Sequence, residues 1–199
     1  MTNTLGASGG RDAATVCAAA GLEGDAATVL RQVSPTTGAG LRTAVDALVT
    51  RELLADAARL LAHALPSRES VWWAWWCARR ALGPDDPDTA VSRALAATER
   101  WIAQPTDQHR RAAMAAAEAA GPGTPAGCAG LAAFFSGGSI APAEAPDAVA
   151  PPFLAAKVVA GGVMLAAAAP PAAQSVERYR LFIAQGLEIG RRIGLWESA

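Results

Sequence analysis

The stretch LPSRESVWWAWWCARRAL, residues 65–82, holds four of the six tryptophans of the chain within five positions. Its uninterrupted apolar run, from Val71 to Ala78, predicts a helix at the centre of a helical protein, because an element that is apolar all round needs neighbours on every side. At 100° per residue the four rings fill one broad face, and Cys77 and several alanines fill the opposite one. The run is far shorter than the roughly 20 residues of a membrane span. We therefore expect the tryptophans to form core packing.

Charged side chains lie on the ring face at both ends of this helix, an Arg–Glu pair at its start and an Arg–Arg pair at its end. Charges on a core face need partners. In one interpretation their stems cover the rings while the charged groups reach solvent or stack on the rings. In the other, the first pair and the adjacent rings line a cleft that grips a partner peptide or an anionic ligand. The candidate partner-binding residues of this helix are Arg68, Glu69, Trp72, Trp73, Arg79 and Arg80.

The composition on either side of the tryptophan helix favours more helices. Hydrophobic residues make up 52% of the 199 positions and charged residues 18%, which is typical of one globular domain. Alanine is abundant and there is one tyrosine, which favours helix over strand. Apolar residues recur at three- and four-residue spacing from Leu41 to Leu65. The sequence predicts an all-α single domain of about seven or eight helices, orthogonal or bundle-like, over residues 39–199.

Turn and cap residues place the boundaries of these elements. Residues 1–38 are rich in Gly, Ser and Thr, and we expect either a loosely ordered arm or weak helices that pack on the rest. Residues 139–152 form a Pro/Ala-rich connection that we expect to cross the surface in extended form. The paired glycines 161 and 162 indicate a tight helix crossing. The predicted N-caps are Ser67, Asp86, Thr106 and Thr124.

A second candidate site is the loop FFSGGSIAP, residues 134–142, where glycines and serines could turn backbone N–H groups toward an anion. The alternative is an ordinary turn after a helix. The candidate residues here are Ser136, Gly137, Gly138 and Ser139.

Residue patterns argue against several other functions. His63 and His109 are the only histidines and lack partners at metal-ligand or triad spacing, and the three cysteines form no C-x-x-C pair. We therefore predict no enzymatic activity, no cofactor and no metal. The net charge of −1 and the scattered arginines argue against a nucleic-acid partner. The N-terminus is a poor signal peptide and the longest apolar run, 158–169, is too short to span a membrane, so we expect a cytoplasmic protein.

Three segments taken together resemble a known family: LPSRESVWWAWWCARRA, QPTDQHRRAAMAAAEAAG, and LAAFFSGGSIAP followed by a proline-rich stretch and VVAGGVMLAAA. They look like an uncharacterised bacterial all-helical family whose members tend to be encoded near type VI secretion components and their adaptors. The resemblance covers residues 55–190 and implies an intracellular helical accessory protein, with no catalytic residues to carry over. Phe135 stands where the family pattern would place Trp.

These observations favour a non-enzymatic cytoplasmic protein-interaction module, of the adaptor or chaperone-like kind, serving a type VI secretion system. Its partner would be a secretion component or an effector; the oligomeric state is not predicted. One alternative is an immunity protein that neutralises a toxin, although a strongly charged binding face would then be expected. A small-ligand-binding helical domain is another alternative.

Overall fold

A computed structural model describes residues 12–82, 89–142 and 144–197. Of these residues 75% are helical and none belongs to a strand. Two short 3-10 turns, Ala172–Gln174 and Leu195–Glu197, flank the last helix. The α-helices in this part of the chain are α1 (Ala13–Ala20), α2 (Gly24–Val33), α3 (Gly38–Thr50), α4 (Leu54–Ala64), α5 (Ser67–Ala81), α6 (Ala90–Ala103), α7 (Asp107–Ala120), α8 (Pro125–Phe135), α9 (Leu154–Ala167) and α10 (Ser175–Arg192).

The predicted all-α class is confirmed, but the predicted count of seven or eight helices is too low, since ten are present in the described residues. The two additional helices, α1 and α2, lie in the N-terminal segment that the sequence left as a loose arm or weak helices. Both are short, and isolated helices of that length are marginal in water. Tertiary packing stabilises them, because Val16 and Val29 are fully buried and α1 packs on α4 while α2 packs on α3.

Two of the four predicted N-caps are confirmed. The Thr106 hydroxyl accepts the backbone N–H of His109 at 3.2 Å, and the Thr124 hydroxyl accepts that of Gly127 at 3.0 Å. Each of these bonds satisfies one of the backbone donors that a helix start leaves open. The sequence therefore located the starts of α7 and α8 correctly.

The prediction for Ser67 is wrong, and that for Asp86 lies outside the described residues. Helix α5 begins at Ser67 itself, after Pro66, whose carbonyl accepts the N–H of Ser70 at 2.8 Å. Helix α6 begins at Ala90, and Thr89 supplies the capping hydroxyl.

Helix α5 lies at the centre of the fold, packed against α6, α8, α9 and α10. Its small residues Ala74, Cys77 and Ala78 are buried, and small side chains let neighbouring helices approach closely. A Cβ on Gly162 of α9 would lie 2.7 Å from the Cβ of Cys128 of α8, so these two helices cross at close range there. Gly162 therefore marks a tight crossing, whereas a Cβ on Gly161 would meet no atom within 4 Å.

The Pro/Ala-rich connection folds back on itself and does not cross the surface as one extended segment. The N–H of Ile140 donates to the carbonyl of Ala148 at 2.7 Å, and Ser139 and Val149 form an isolated antiparallel bridge. The Ser139 hydroxyl accepts the N–H groups of Ala141 and Ala148 as well. Ser139 thus helps to hold the two ends of the connection together. The proline content of the sequence did not predict this return of the chain.

Candidate functional site

The four tryptophan rings of α5 do not share one buried face. Trp73 is fully buried, and its indole N–H donates to the carbonyl of Phe182 of α10 at 2.7 Å. The other three rings are half-buried: Trp75 donates to the carbonyl of Leu95 at 3.1 Å, and Trp76 meets the ring of Phe182 edge-on at 6.0 Å. The four side chains spread over nearly half the circumference of the helix, so they reach different neighbours.

A groove lies where the first turn of α5 meets the end of α6. Arg68, Glu69 and Trp72 line it together with Ile102, and its volume is about 230 Å³. The Arg68 Nε donates to the carbonyl of Ile102 at 2.8 Å, which ties α5 to α6. Three of the four residues predicted for a cleft here therefore come together. Trp73 does not, because its ring is enclosed in the core. We call this the α5–α6 groove.

The arginines at the other end of α5 belong to a different surface. Arg79 and Arg80 are exposed, and twelve residues at 1.5 Å each separate Arg80 from Arg68 by about 18 Å. The Arg80 guanidinium lies 5.7 Å from the ring centroid of Trp76. Cation–π stacking, one of the two interpretations left open by the sequence, therefore describes this end of the helix.

The Ser136–Ser139 loop faces a cation of the chain itself. Gly138 adopts the left-handed region at φ 66°, and a Cβ there would lie 3.1 Å from the Nη2 of Arg110. The carbonyl of Ser139 accepts a hydrogen bond from that same Nη2 at 2.6 Å. The hydroxyl of Ser136 donates back to the carbonyl of Ala132. A backbone oxygen of this loop therefore faces a cation, which is the opposite polarity to the N–H groups expected for an anion site.

Arg110 is a buried charge that the sequence reasoning did not single out. Its Nε and Nη2 both donate to the Oδ1 of Asp107, at 3.0 and 2.6 Å, its Nη1 donates to the carbonyl of Phe134 at 2.7 Å, and its guanidinium lies 4.7 Å from the centroid of the Phe134 ring. Hydrogen bonds from Arg110 and Arg111 lower the pKa of the Asp107 carboxyl. The Asp–x–x–Arg spacing on α7 was visible, but burial of the guanidinium depends on the position of α8.

A larger cavity, which we call the basic cavity, lies between the end of α1, the last two turns of α4 and the middle of α9. Its volume is about 420 Å³. Most of the residues around it are small, two are cationic and one is a histidine. They are Ala19, Ala20, Gly21, Arg59, His63, Lys157, Ala160, Gly161 and Met164.

The histidine of the basic cavity is held on two sides. His63 is buried near the end of α4, its Nδ1 lies 2.8 Å from the carbonyl of Arg59, and its ring stacks on Phe153 at 5.7 Å between centroids. Sequence reasoning missed the site. The spacing of Arg59 with His63, and of Lys157 with Gly161, places each pair on one helix face, but only the packing of α4 on α9 brings the two pairs together.

The cysteines and the possible metal ligands of the described residues are as follows. Cys17, Cys77 and Cys128 are free, and burial raises the pKa of each thiol, which disfavours the reactive thiolate. Among residues 12–82, 89–142 and 144–197, no three His, Cys, Asp or Glu side chains are grouped to hold a metal ion. None of the described helices has the length and apolar character to cross a membrane.

Comparison with known proteins places the chain in a family without a known activity. No curated protein and no solved structure matches it. One family model matches residues 44–190, a range that includes both the α5–α6 groove and the cationic side of the basic cavity. Because the match covers well over half of the sequence, the chain belongs to DUF6931, a family of unknown function.

Proposed function

We propose that this chain is a non-enzymatic protein-interaction module whose partner docks in the α5–α6 groove. The observation that carries the proposal is Trp72, a half-buried aromatic ring that lines the groove between an exposed arginine and a glutamate. Tryptophan and arginine are the residues most enriched at the energetic centres of protein interfaces. Trp72 and Arg68 are thus the binding residues of the proposal, with Glu69 beside them.

The size of the groove favours a protein segment over a small molecule. Its volume of about 230 Å³ lies below the roughly 300–1,000 Å³ of small-molecule sites. One apolar side chain of a partner fits such a space, packed against Trp72 and Ile102. The opposite charges of Arg68 and Glu69 then select an acidic residue on one side of that anchor and a basic residue on the other. The occupant we propose is therefore a partner segment with one apolar residue flanked by opposite charges.

The finer part of the proposal is a cytoplasmic adaptor or chaperone-like accessory of a type VI secretion system. Its support is the resemblance of the tryptophan helix, the QPTDQHRR segment and the FFSGG loop to a family encoded beside such systems. Under this proposal the partner is a secretion component or an effector. The identity of the captured chain tests this part separately from the groove.

The groove is tested by photo-crosslinking in native cells. A benzoylphenylalanine at the exposed Ala103, next to Ile102, should crosslink one defined partner, and mapping should place the crosslink beside an apolar residue flanked by opposite charges. The single variants Arg68→Glu and Glu69→Arg should abolish the product. The matched control is Arg100→Glu, an exposed arginine of α6 about 200° around the helix from Ile102.

Two outcomes contradict the proposal. One is a crosslink that both charge reversals leave unchanged while thermal unfolding shows both variants to be folded. The other is recovery of the full chain with a bound small molecule and no protein crosslinked at Ala103.

A further inference from the structure

The basic cavity is an open depression that the helices border without filling. Helices α1 and α9 both pack on α4, and the side chains that face each other across the gap are mostly alanine and glycine. A Cβ added to Gly161 would meet no atom within 4 Å, so this glycine borders open space and not a close helix contact. The volume of about 420 Å³ falls within the roughly 300–1,000 Å³ of small-molecule sites.

The charged side chains around this space are cationic, and none of the lining residues is acidic. Lys157, the only lysine of the chain, has no ion pair with any described residue. Arg59 has one long contact, 3.9 Å from its Nη1 to the Oδ1 of Asp56. Two cations at one cavity repel each other unless an anion lies between them. Because the whole chain carries a net charge of −1, general basicity does not explain this local excess.

We infer that the basic cavity binds a small amphipathic carboxylate, with its carboxylate between Arg59 and Lys157 and its apolar part against Ala160, Gly161 and Met164. Hydrogen bonds from a charged arginine or lysine to a carboxylate are roughly twice as strong as hydrogen bonds between neutral groups. Methionine is unbranched and polarisable, so Met164 can adapt to apolar groups of different shape. The same chemistry is offered by a free carboxylic acid with a short alkyl chain and by the carboxyl terminus of an apolar peptide. This site goes beyond the protein docking proposed for the α5–α6 groove.

The test is an NMR titration of the ¹⁵N-labelled full chain with sodium octanoate. Saturable shifts are expected at backbone amides of α1, α4 and α9. Octanol, which has the same alkyl chain and no charge, should bind about tenfold more weakly or worse, because it lacks the charge-assisted hydrogen bonds. The peptide Ala-Ala-Leu, as free acid and as amide, distinguishes the source: tighter binding of the free acid than of octanoate assigns a peptide carboxyl terminus, and the reverse order assigns a free carboxylate.

Two variants separate the cationic and the apolar parts of the site. Lys157→Gln should weaken octanoate binding about tenfold and leave octanol binding unchanged, since it removes one charged donor. Gly161→Leu should block both probes by filling the cavity, and thermal unfolding should show that it remains folded. Arg100→Gln, which removes an exposed charge on α6, is the matched control and should bind octanoate like the parent chain.

Several results would overturn the inference. One is the absence of any saturable shift up to about 10 mM octanoate. Another is that octanol or inorganic phosphate binds with the same affinity as octanoate. A third is that Lys157→Gln binds octanoate as tightly as the parent chain does. Arg68→Glu should not alter octanoate binding, so failure at this cavity is distinguishable from failure at the α5–α6 groove.

Discussion

Among the tryptophans of α5, Trp73 should contribute most to stability. Its ring is fully enclosed and its indole N–H is bonded to the Phe182 carbonyl, so Trp73→Ala both opens a cavity and removes a buried hydrogen bond. We expect a loss of about 3–5 kcal/mol in the free energy of unfolding. Trp72→Ala should cost clearly less, because that ring is half-exposed at the groove. Urea denaturation of both variants measures the difference, and equal losses would make Trp72 a core residue and weaken its proposed role in binding.

The neighbouring glycines of α9 should respond to alanine with opposite signs. Gly161→Ala adds a methyl group in open space and should stabilise the helix by about 0.5–1 kcal/mol, because alanine loses less backbone entropy on folding. Gly162→Ala places its Cβ 2.7 Å from that of Cys128 and should destabilise, because α8 and α9 must move apart. Thermal unfolding of the pair measures both effects. A stabilised Gly162→Ala variant would mean that the α8–α9 crossing is looser than the structure has it.

Arg110 should be intolerant of change, including change to lysine. Arg110→Ala leaves the buried carbonyl of Phe134 without this donor and the carbonyl of Ser139 with only the longer bond from Arg111, so we expect a loss of about 1–3 kcal/mol. Arg110→Lys keeps the charge but cannot reproduce a planar fork with several fixed donors, so it should recover only part of that loss. Chemical denaturation measures the order of stability of the parent chain, Arg110→Lys and Arg110→Ala. Full stability of Arg110→Lys would show that charge alone matters at this position.

At the scale of elements, the contact between α7 and the end of α8 should contribute less to stability at acidic pH. The pKa of Asp107 is lowered from its ordinary value of 3.8, because Arg110 and Arg111 donate hydrogen bonds to its charged form. The folded state therefore binds this proton less readily than the unfolded chain. The stability from this pair is present above about pH 3.8 and is lost as the pH falls through the lowered native pKa.

Denaturation at several pH values tests this linkage. The parent chain should lose stability below pH 3.8 more steeply than Asp107→Asn, which has no carboxyl to protonate at that position. Parallel pH profiles would show that the stability of the contact between α7 and α8 does not depend on the charge of Asp107. Arg42→Gln, which disrupts the exposed Arg42–Asp46 pair on α3, is a control for a surface ion pair.

Local signals in the sequence predicted some element boundaries, those at the starts of α7 and α8, and predicted element partners poorly. Threonine caps before α7 and α8 were readable because a cap depends on residues three positions apart. The burial of α1 and α2 was not readable from the sequence, because these short stretches become stable helices only when they pack against α3 and α4. The basic cavity was invisible for the same reason: Arg59 and Lys157 are 98 positions apart in the chain, and no local pattern joins them.

At the scale of the whole molecule, the N-terminal helix should behave as part of the fold. A chain that lacks residues 1–22 exposes the partners of Val16 and Leu22, both buried. Two large apolar side chains at roughly 1.5–3 kcal/mol each predict a loss of about 3–6 kcal/mol. Circular dichroism should show that α3–α10 remain helical, and urea denaturation should show the loss. An unchanged midpoint would mean that α1 adds nothing to the stability of the rest.

The position of α1 relative to the family match divides the basic cavity into two parts. Arg59, Lys157 and Gly161 lie within residues 44–190, whereas Ala19–Gly21 lie before them. Under the carboxylate proposal, both the charged and the apolar contacts to the ligand lie in the part of the chain common to the family, and the segment outside it adds one further wall of the cavity. Exchanging α1 would then reshape that wall while Arg59, Lys157 and the α9 side chains of the site stay in place.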